Sequence, residues 1–355
     1  SSARGADAPA EEPQSEEGAA VEAPRFRWVC GLSIGPSGRY SVQRLAGEGK
    51  FSCVLQCLDV VEDRAVAVKT ARGAERCREA LAAEVAVLRE LKRCDPGGVS
   101  RCVRLIDAFP QPGFHDCAVF DLFEMSLSDH LKSTAHRGLL LRDIHSTARQ
   151  LLQGLSFLHA LGLMHTDIKC RNVMLRSGAA DLVPLVRCGD GVTTRALRSC
   201  DVVIIDFGGA IYLHQARPKR PGTRQYRSPE ALLGLQWNEK TDMWSLGCLL
   251  LTLYLGMRPF EATSPAEHLA QIVRVVGAEL PRHMALRANA SIGVDVAARD
   301  PLGQPRPLDE LVSRLGHSPF LMLLRGLLQI DPGSRLSADE AASVPFIARR
   351  CDVLD

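Results

Sequence analysis

The sequence predicts an α+β chain in two lobes, a small β-rich lobe followed by a larger, mostly helical one. Three observations point there. Arg39 to Lys69 holds short apolar runs separated by turn residues, which read as three successive strands. Glu75 to Lys92 repeats apolar residues at helical spacing, with Leu81, Val85, Leu88 and Leu91 on one face. From Leu127 onward the spacing is helical again, over about Leu141 to Leu161 and from Asp242 to Gly256.

At 355 residues the chain has room for two or more packed units. Its formal net charge of +2 provides no bulk attraction to nucleic acid or to a membrane surface, so direct binding to either is not expected. No run of about 18 apolar residues is present to span a bilayer. Residues 1–24 are acidic and rich in Ala, Glu, Pro and Ser, which reads as a disordered tail rather than a signal peptide. The twelve cysteines are scattered without a C-x-x-C pair. That pattern fits reduced thiols of an intracellular protein and offers no ligand spacing for structural zinc.

In chain order, Gly47-Glu48-Gly49-Lys50-Phe51-Ser52-Cys53-Val54 joins the first two strands as G-x-G-x-F-S-x-V. Its glycines permit a tight backbone that can present N–H groups to phosphates. Standing alone, such a G-x-G would more often be a plain hairpin. The strand Ala65-Val66-Ala67-Val68-Lys69 follows, with Lys69 placed 20 residues after Gly49. A lysine ending a buried strand usually snorkels to solvent; this spacing instead suits a phosphate-pairing lysine. Glu84 lies beside the apolar stripe of the helix and reads as the ion-pair partner of Lys69. Pro96-Gly97-Gly98 ends the helix. Val103–Phe109 and Cys117–Phe120 read as a strand pair, and Asp121-Leu122-Phe123 as the link between lobes, with a wall suited to a flat ring.

In the second lobe Ile144, Ala148, Leu151, Leu155 and Leu158 form one apolar helix face, which reads as core. After it comes His165-Thr166-Asp167-Ile168-Lys169-Cys170-Arg171-Asn172, the pattern H-x-D-x-K-x-x-N. Asp206-Phe207-Gly208 follows the buried-strand pattern Val202–Ile205. This is the set that phosphoryl transfer needs. Asp167 would orient a hydroxyl and accept its proton, and Lys169 would neutralise the transferred group. Asn172 and Asp206 would hold Mg2+. Residues 177–200, between these motifs, read as an inserted hairpin or loop on the surface. Ser228-Pro229-Glu230 fills an A-P-E position, with Arg335 as the expected partner of Glu230. Asp242, at a helix start, is expected to bond the backbone of the 165–172 loop.

With these motifs in order, residues 25–350 resemble a eukaryotic protein kinase of the CMGC group, and within it the LAMMER (Clk, dual-specificity) family. The implied division is a first lobe over about 25–120, a hinge at 121–123 and a second lobe over about 124–350. The resemblance to LAMMER rests on Thr166 in H-T-D, on residues 267–274 (E-H-L-A-Q-I-V-R), on Gly38-Arg39-Tyr40 and Gln56–Asp59, and on Thr223–Glu230 as T-R-x-Y-R-x-P-E. SR-protein kinases are next closest, and a catalytically silent scaffold is the third reading; Lys69, Asp167 and Asp206 are all retained against it. The resemblance implies Mg2+ and ATP as cofactors, serine/threonine phosphorylation of protein substrates, tyrosine as a further acceptor, and a monomer in the nucleus, with the cytoplasm as the alternative. It implies nucleotide contacts at Gly47, Glu48, Gly49, Val54, Ala67, Lys69 and Glu84. Phe120 would gate the adenine pocket, with Asp121 and Phe123 at the adenine edge.

Two departures bear on substrate choice. Cys170-Arg171 replaces the family's P-E, and Arg171 would repel an Arg-rich peptide. Arg217, Lys219 and Arg220 add positive charge to the segment after Gly208, which suits acidic or phosphorylated substrates; simple solvation of these charges is the alternative. That segment holds Tyr212 and Thr223 but no T-x-Y or Y-x-Y pair, so activity is not expected to need dual phosphorylation.

Overall fold

Strand alternation builds the first lobe. The computed structural model describes residues 28–49, 51–72, 74–111, 116–189, 191–218, 220–288, 306–313 and 317–349. The acidic tail, Lys50, Lys219 and most of 285–310 lie outside the described residues. Strands β1 (Ser33–Ile34), β2 (Tyr40–Glu48), β3 (Ser52–Asp59), β4 (Arg64–Ala71), β5 (Asp107–Pro110) and β6 (Asp116–Asp121) form one antiparallel sheet in the order β1-β2-β3-β4-β6-β5. Because side chains alternate, Val66 and Val68 of β4 enter a closed core with Val42, Leu55, Cys57 and Val119. Ala67 and Lys69 therefore face the opposite side. Helix α1 (Glu75–Cys94) buries its predicted stripe of Leu81, Val85, Leu88 and Leu91.

Strand β1 has two residues, too short to show a period in the sequence. It docks where Gly35, at φ +81°, lets the chain pass Tyr40 and Phe109; a Cβ at that position would lie 2.8 Å from the Tyr40 ring. Strand β5 also begins later than predicted. Residues 103–106 look like strand, but Val103 and Leu105 are buried in the core that extends into the second lobe. Val103 N–H donates to Ile204 O at 2.8 Å, and Ile204 N–H to Arg101 O at 2.8 Å. The segment ties the lobes together instead of extending the sheet.

The second lobe opens with β7 (Met125–Ser126) and α2 (Leu127–Ser133), whose start Ser126 caps by accepting from Asp129 N–H. Helix α3 (Leu141–Ala160) buries the whole predicted stripe. Strands β8 (Leu163–Met164) and β9 (Val173–Leu175) flank the 165–172 loop. The 177–200 insert is a hairpin of β10 (Ala180–Pro184) and β11 (Thr193–Leu197). It is not purely a surface feature, since Leu185 and Ala196 pack on Leu140. Strand β12 (Val202–Ile204) pairs with β9, and β13 (Ile211–Tyr212) with β8.

Helices α4 (Pro229–Leu232), α5 (Lys240–Leu255), α6 (Pro265–Val276), α7 (Arg282–Arg287), α8 (Leu308–Leu311), α9 (Ser318–Leu327), α10 (Ala338–Ala342) and α11 (Pro345–Ala348) complete the lobe. Helix α5 is buried nearly all round and ends at Gly256, at φ +82°, where a Cβ would collide with His136 O. The E-H-L-A-Q-I-V-R segment forms α6, started by a Ser264–Glu267 capping box. There His268 is buried against Phe260, and burial, with Arg227 and Arg224 nearby, pushes its imidazole down to about 4. No described helix is long and apolar enough to cross a membrane.

The link between lobes carries a chain of ion pairs. Arg64 meets Asp121 at 2.8 Å, Asp121 lies 3.9 Å from Arg176, and Arg176 meets Asp201 at 3.3 Å. Arg101 closes the chain on Asp201. These groups are each more than a third exposed, so every single pair contributes little; their joint effect is to register β4, the link and β12.

Candidate active site

The 165–172 loop is shaped by a buried carboxylate. Asp242, fully buried at the start of α5, accepts from His165 N–H at 2.9 Å and Thr166 N–H at 2.7 Å, as the sequence predicts. His159 Nε2 lies 3.0 Å from the same carboxylate. Thr166 stands at φ +68°, unusual for a β-branched residue. Its hydroxyl donates to Gly209 O at 2.8 Å, which joins the loop to the segment after Asp206 without using a charge. Burial opposes ionisation of Asp242, but His159, His165 and the backbone donors outweigh it and hold its carboxyl below the ordinary range. A lowered carboxyl pKa stabilises the fold above the unfolded value of about 3.9 and loses that contribution as pH falls through the folded value. Asp242→Asn is therefore expected to be destabilised near neutral pH, with the gap to the parent closing below about pH 4. Denaturant unfolding at several pH values checks this; a gap that stays constant with pH would contradict it.

Asp167 and Lys169, two residues apart on the loop, meet. Lys169 Nζ donates to Asp167 Oδ2 and, at 2.8 Å, to Thr223 Oγ1. Asp167 Oδ1 accepts from Thr223 N–H at 3.0 Å and Thr223 Oγ1 at 2.7 Å. Asn172 Nδ2 donates to Asp167 O at 3.0 Å and Oδ2 at 3.1 Å, which leaves its Oδ1 for another ligand. Thr223 is the residue that sequence reasoning undervalued, since it stood there as a phosphorylation candidate and as the first position of T-R-x-Y-R-x-P-E, with no role at Asp167. The signal was its place seven residues before Glu230, in a motif otherwise rich in structural residues.

Across the cleft Lys69 lies between two carboxylates. It meets Glu84 at 2.7 Å and Asp206 at 2.9 Å. Burial disfavours the Lys69 ammonium, but both carboxylates outweigh it and raise its pKa. Glu84 is 4% exposed, and burial pushes its carboxyl up despite Lys69, with Asp206 adding repulsion. Burial also opposes Asp206, yet Lys69 pulls its carboxyl below the ordinary range. One ammonium thus serves two carboxylates, of which Asp206 is the more exposed. Asp206 stands at φ +66°, and Phe207 beside it is buried edge-on to His165 at 5.0 Å. Held strain of this kind fixes the direction of the Asp206 carboxylate.

Of the remaining predicted contacts, Gly47, Val54, Ala67 and Phe120 share the sheet face of Lys69, while Glu48 and Asp121 alternate to the other face and Phe123 lies beyond the sheet. Gly47 pairs with Val54, Val54 with Lys69, and Ala67 with Phe120. The two glycines act through space rather than through positive φ. Neither is among the left-handed residues, and a Cβ on Gly47 would meet nothing within 4 Å. Glu48 gives its carboxylate to Arg72 at 2.8 Å. The Asp121 carboxylate is held by Arg64, and the Phe123 ring lies 5.3 Å from the Arg176 guanidinium. Cys170 is buried, which pushes its thiol up to about 12, so it is an inert packing group beside Lys169.

The protein kinase domain family matches residues 40–347, and the chain belongs to the protein kinase family. It is 35% identical over 348 residues to the serine/threonine-protein kinase AFC1 of Arabidopsis thaliana, covering 91% of this chain and 73% of that one. It is 33% identical to human dual specificity protein kinase CLK4, covering 87% and 66%, and 34% identical to lkh1 of Schizosaccharomyces pombe, covering 88% and 47%. Within the family it is therefore a LAMMER (Clk) member of the CMGC group. The chain spans less than two thirds of the lengths of CLK4 and lkh1. The crystal structure of the PF14_0431 kinase domain superposes with a TM-score of 0.83 at 27% identity, covering 91% of this chain and 98% of that one.

Proposed function

We propose that the cleft transfers the γ-phosphoryl group of ATP to serine and threonine hydroxyls of protein substrates. The observation that carries this reading is the meeting of two groups of residues: Asp167, Lys169 and Asn172 on one loop, and Lys69, Glu84 and Asp206 across from it. Asp167 orients the acceptor hydroxyl and takes its proton. Lys169 neutralises charge on the group in transfer, and Lys69, held by Glu84, pairs with the nucleotide phosphates. Gly47, Glu48 and Gly49 cover the phosphates with backbone while Val54 and Ala67 face the base. Phe120 closes the back of the pocket. Asp121 and Phe123 offer backbone groups to the adenine edge, since the Asp121 side chain is engaged elsewhere.

The free oxygens of Asn172 and Asp206 fit Mg2+, a hard ion usually bound by one or two protein oxygens together with substrate phosphates. Among the described residues no cluster of three or more His, Cys, Asp or Glu forms a self-sufficient metal site. When bound, Mg2+ supplies neutralisation of phosphate charge. The LAMMER resemblance extends this reading to one domain over residues 25–350, to tyrosine as a further acceptor and to a monomer acting in the nucleus.

Transfer of labelled phosphate from ATP to a mixed Ser/Thr peptide pool tests it, with Asp206→Asn as the silent control. ATP bound without transfer to any peptide would favour a scaffold instead.

A further inference from the structure

Five arginines lie on the catalytic loop and the segment that follows Asp206: Arg171, Arg217, Arg220, Arg224 and Arg227. Among the described residues none of the five pairs with a carboxylate. Arg224 donates to Thr263 O at 2.9 Å, and Arg227 to Pro221 O and Gly222 O at 2.9 Å. Arg217 donates to Leu213 O at 3.2 Å and lies over the Trp237 ring. Arg171 and Arg220 are exposed and meet no partner among the described residues. Elsewhere the chain pairs its arginines freely, as in Arg39–Asp59, Arg198–Asp181 and Arg325–Asp309.

The imbalance is built into the sequence. Residues 207–229 contain four arginines, one lysine and no acidic residue. On the element that receives Arg224, the nearby acids are already engaged: Glu261 by Arg258, and Glu267 by Thr263 and Ser264. Arg227 is repelled by Arg220 and Arg224 and attracted by Asp167, which places this positive field next to the reacting carboxylate. Arg171 adds charge from the loop itself, two residues past Lys169. Single exposed charges do little, but a same-sign group around a cleft focuses its field and raises the local concentration of an oppositely charged partner.

We propose that the substrate groove selects peptides with anionic groups, carboxylate or phosphate, beside the acceptor hydroxyl. The inference rests on the phosphoryl-transfer reading above and names its substrate class. It also requires disfavour for Arg-flanked acceptors, because an arginine entering this groove meets a group of like charges.

The test measures kcat/KM for four matched serine peptides flanked by Glu, phosphoserine, Ala or Arg. Anionic flanks are expected to exceed Ala by roughly tenfold, the product of several exposed pairs, with the gain in KM. The gain shrinks at high salt. Phosphoserine above Glu identifies phosphate as the preferred source, and equality identifies charge alone. In the double variant Arg171→Glu, Arg220→Glu the ratio of Glu-flanked to Arg-flanked transfer is expected to fall at least roughly tenfold. Preference for the Arg-flanked peptide, equal use of all four, or an unchanged ratio in the variant overturns the inference while leaving the kinase reading intact. No transfer to any peptide overturns both.

Discussion

Asp167→Asn is expected to lower kcat by roughly 10²- to 10⁴-fold, the usual contribution of a positioned general base. The amide matches the carboxylate in shape and can still accept from Thr223 or from Lys169. It cannot take the proton of the acceptor hydroxyl, and its NH2 faces donors that now want an acceptor. The groups assigned to the nucleotide, Lys69, Glu84 and Asp206, make no contact with the Asp167 side chain among the bonds described above. ATP affinity should therefore stay near that of the parent. Single-turnover transfer measured alongside nucleotide binding separates the two effects. A variant keeping more than a tenth of parental kcat would remove Asp167 from the role proposed for it.

The second large effect is on stability. Arg335 is fully buried and uses all its N–H groups: two on Glu230 at 2.8 Å each, and the others on the carbonyls of Gln329, Lys240 and Ile330. Its guanidinium also lies over the Trp244 ring at 5.2 Å. Removing one partner of such a pair leaves a buried charge without compensation and costs about 3–5 kcal/mol. Glu230→Ala and Arg335→Ala are each expected to lower stability by that amount. The double variant should lose much less than the sum, because the second substitution removes the stranded charge. Glu230 lies in the first turn of α4, two residues after the Thr223–Ser228 stretch ends, so the single variants should also lose transfer activity at temperatures where they remain folded. Denaturant midpoints for the two singles and the double complete the cycle; additive losses would mean that the two groups do not act as a pair.

Much of the site was legible because its chemistry is encoded in short, local motifs. Asp167, Lys169 and Asn172 share one loop, and their spacing alone puts them within reach of each other. Lys69, Glu84 and Asp206 are far apart in sequence, yet each sits at a fixed place in a recognisable element. The Glu230–Arg335 pair and the Asp242 brace were predicted for the same reason. What escaped was set by contacts with no local signature. The 103–106 run has the composition of a strand but is held by β12 across the lobe boundary. Thr166 had a visible identity, but its bond to Gly209 depends on a left-handed backbone. The buried edge of the 177–200 hairpin depends on Leu140, some forty residues before it.

The tie between residues 101–103 and β12, together with the ion chain through Asp121, has a mechanical consequence. Two fixed points define an axis, and anything lying on it is a pivot. Asp121 stands beside Val66 and Val66 beside Cys57, while Phe51 lies six residues further along, roughly 20 Å away at strand rise. The glycine turn is therefore the tip of the sheet farthest from the tied link. Each degree of tilt moves that tip by roughly a third of an ångström while Asp121 stays put. On the reading proposed above, tilt about the link would open the cleft most at the glycine turn.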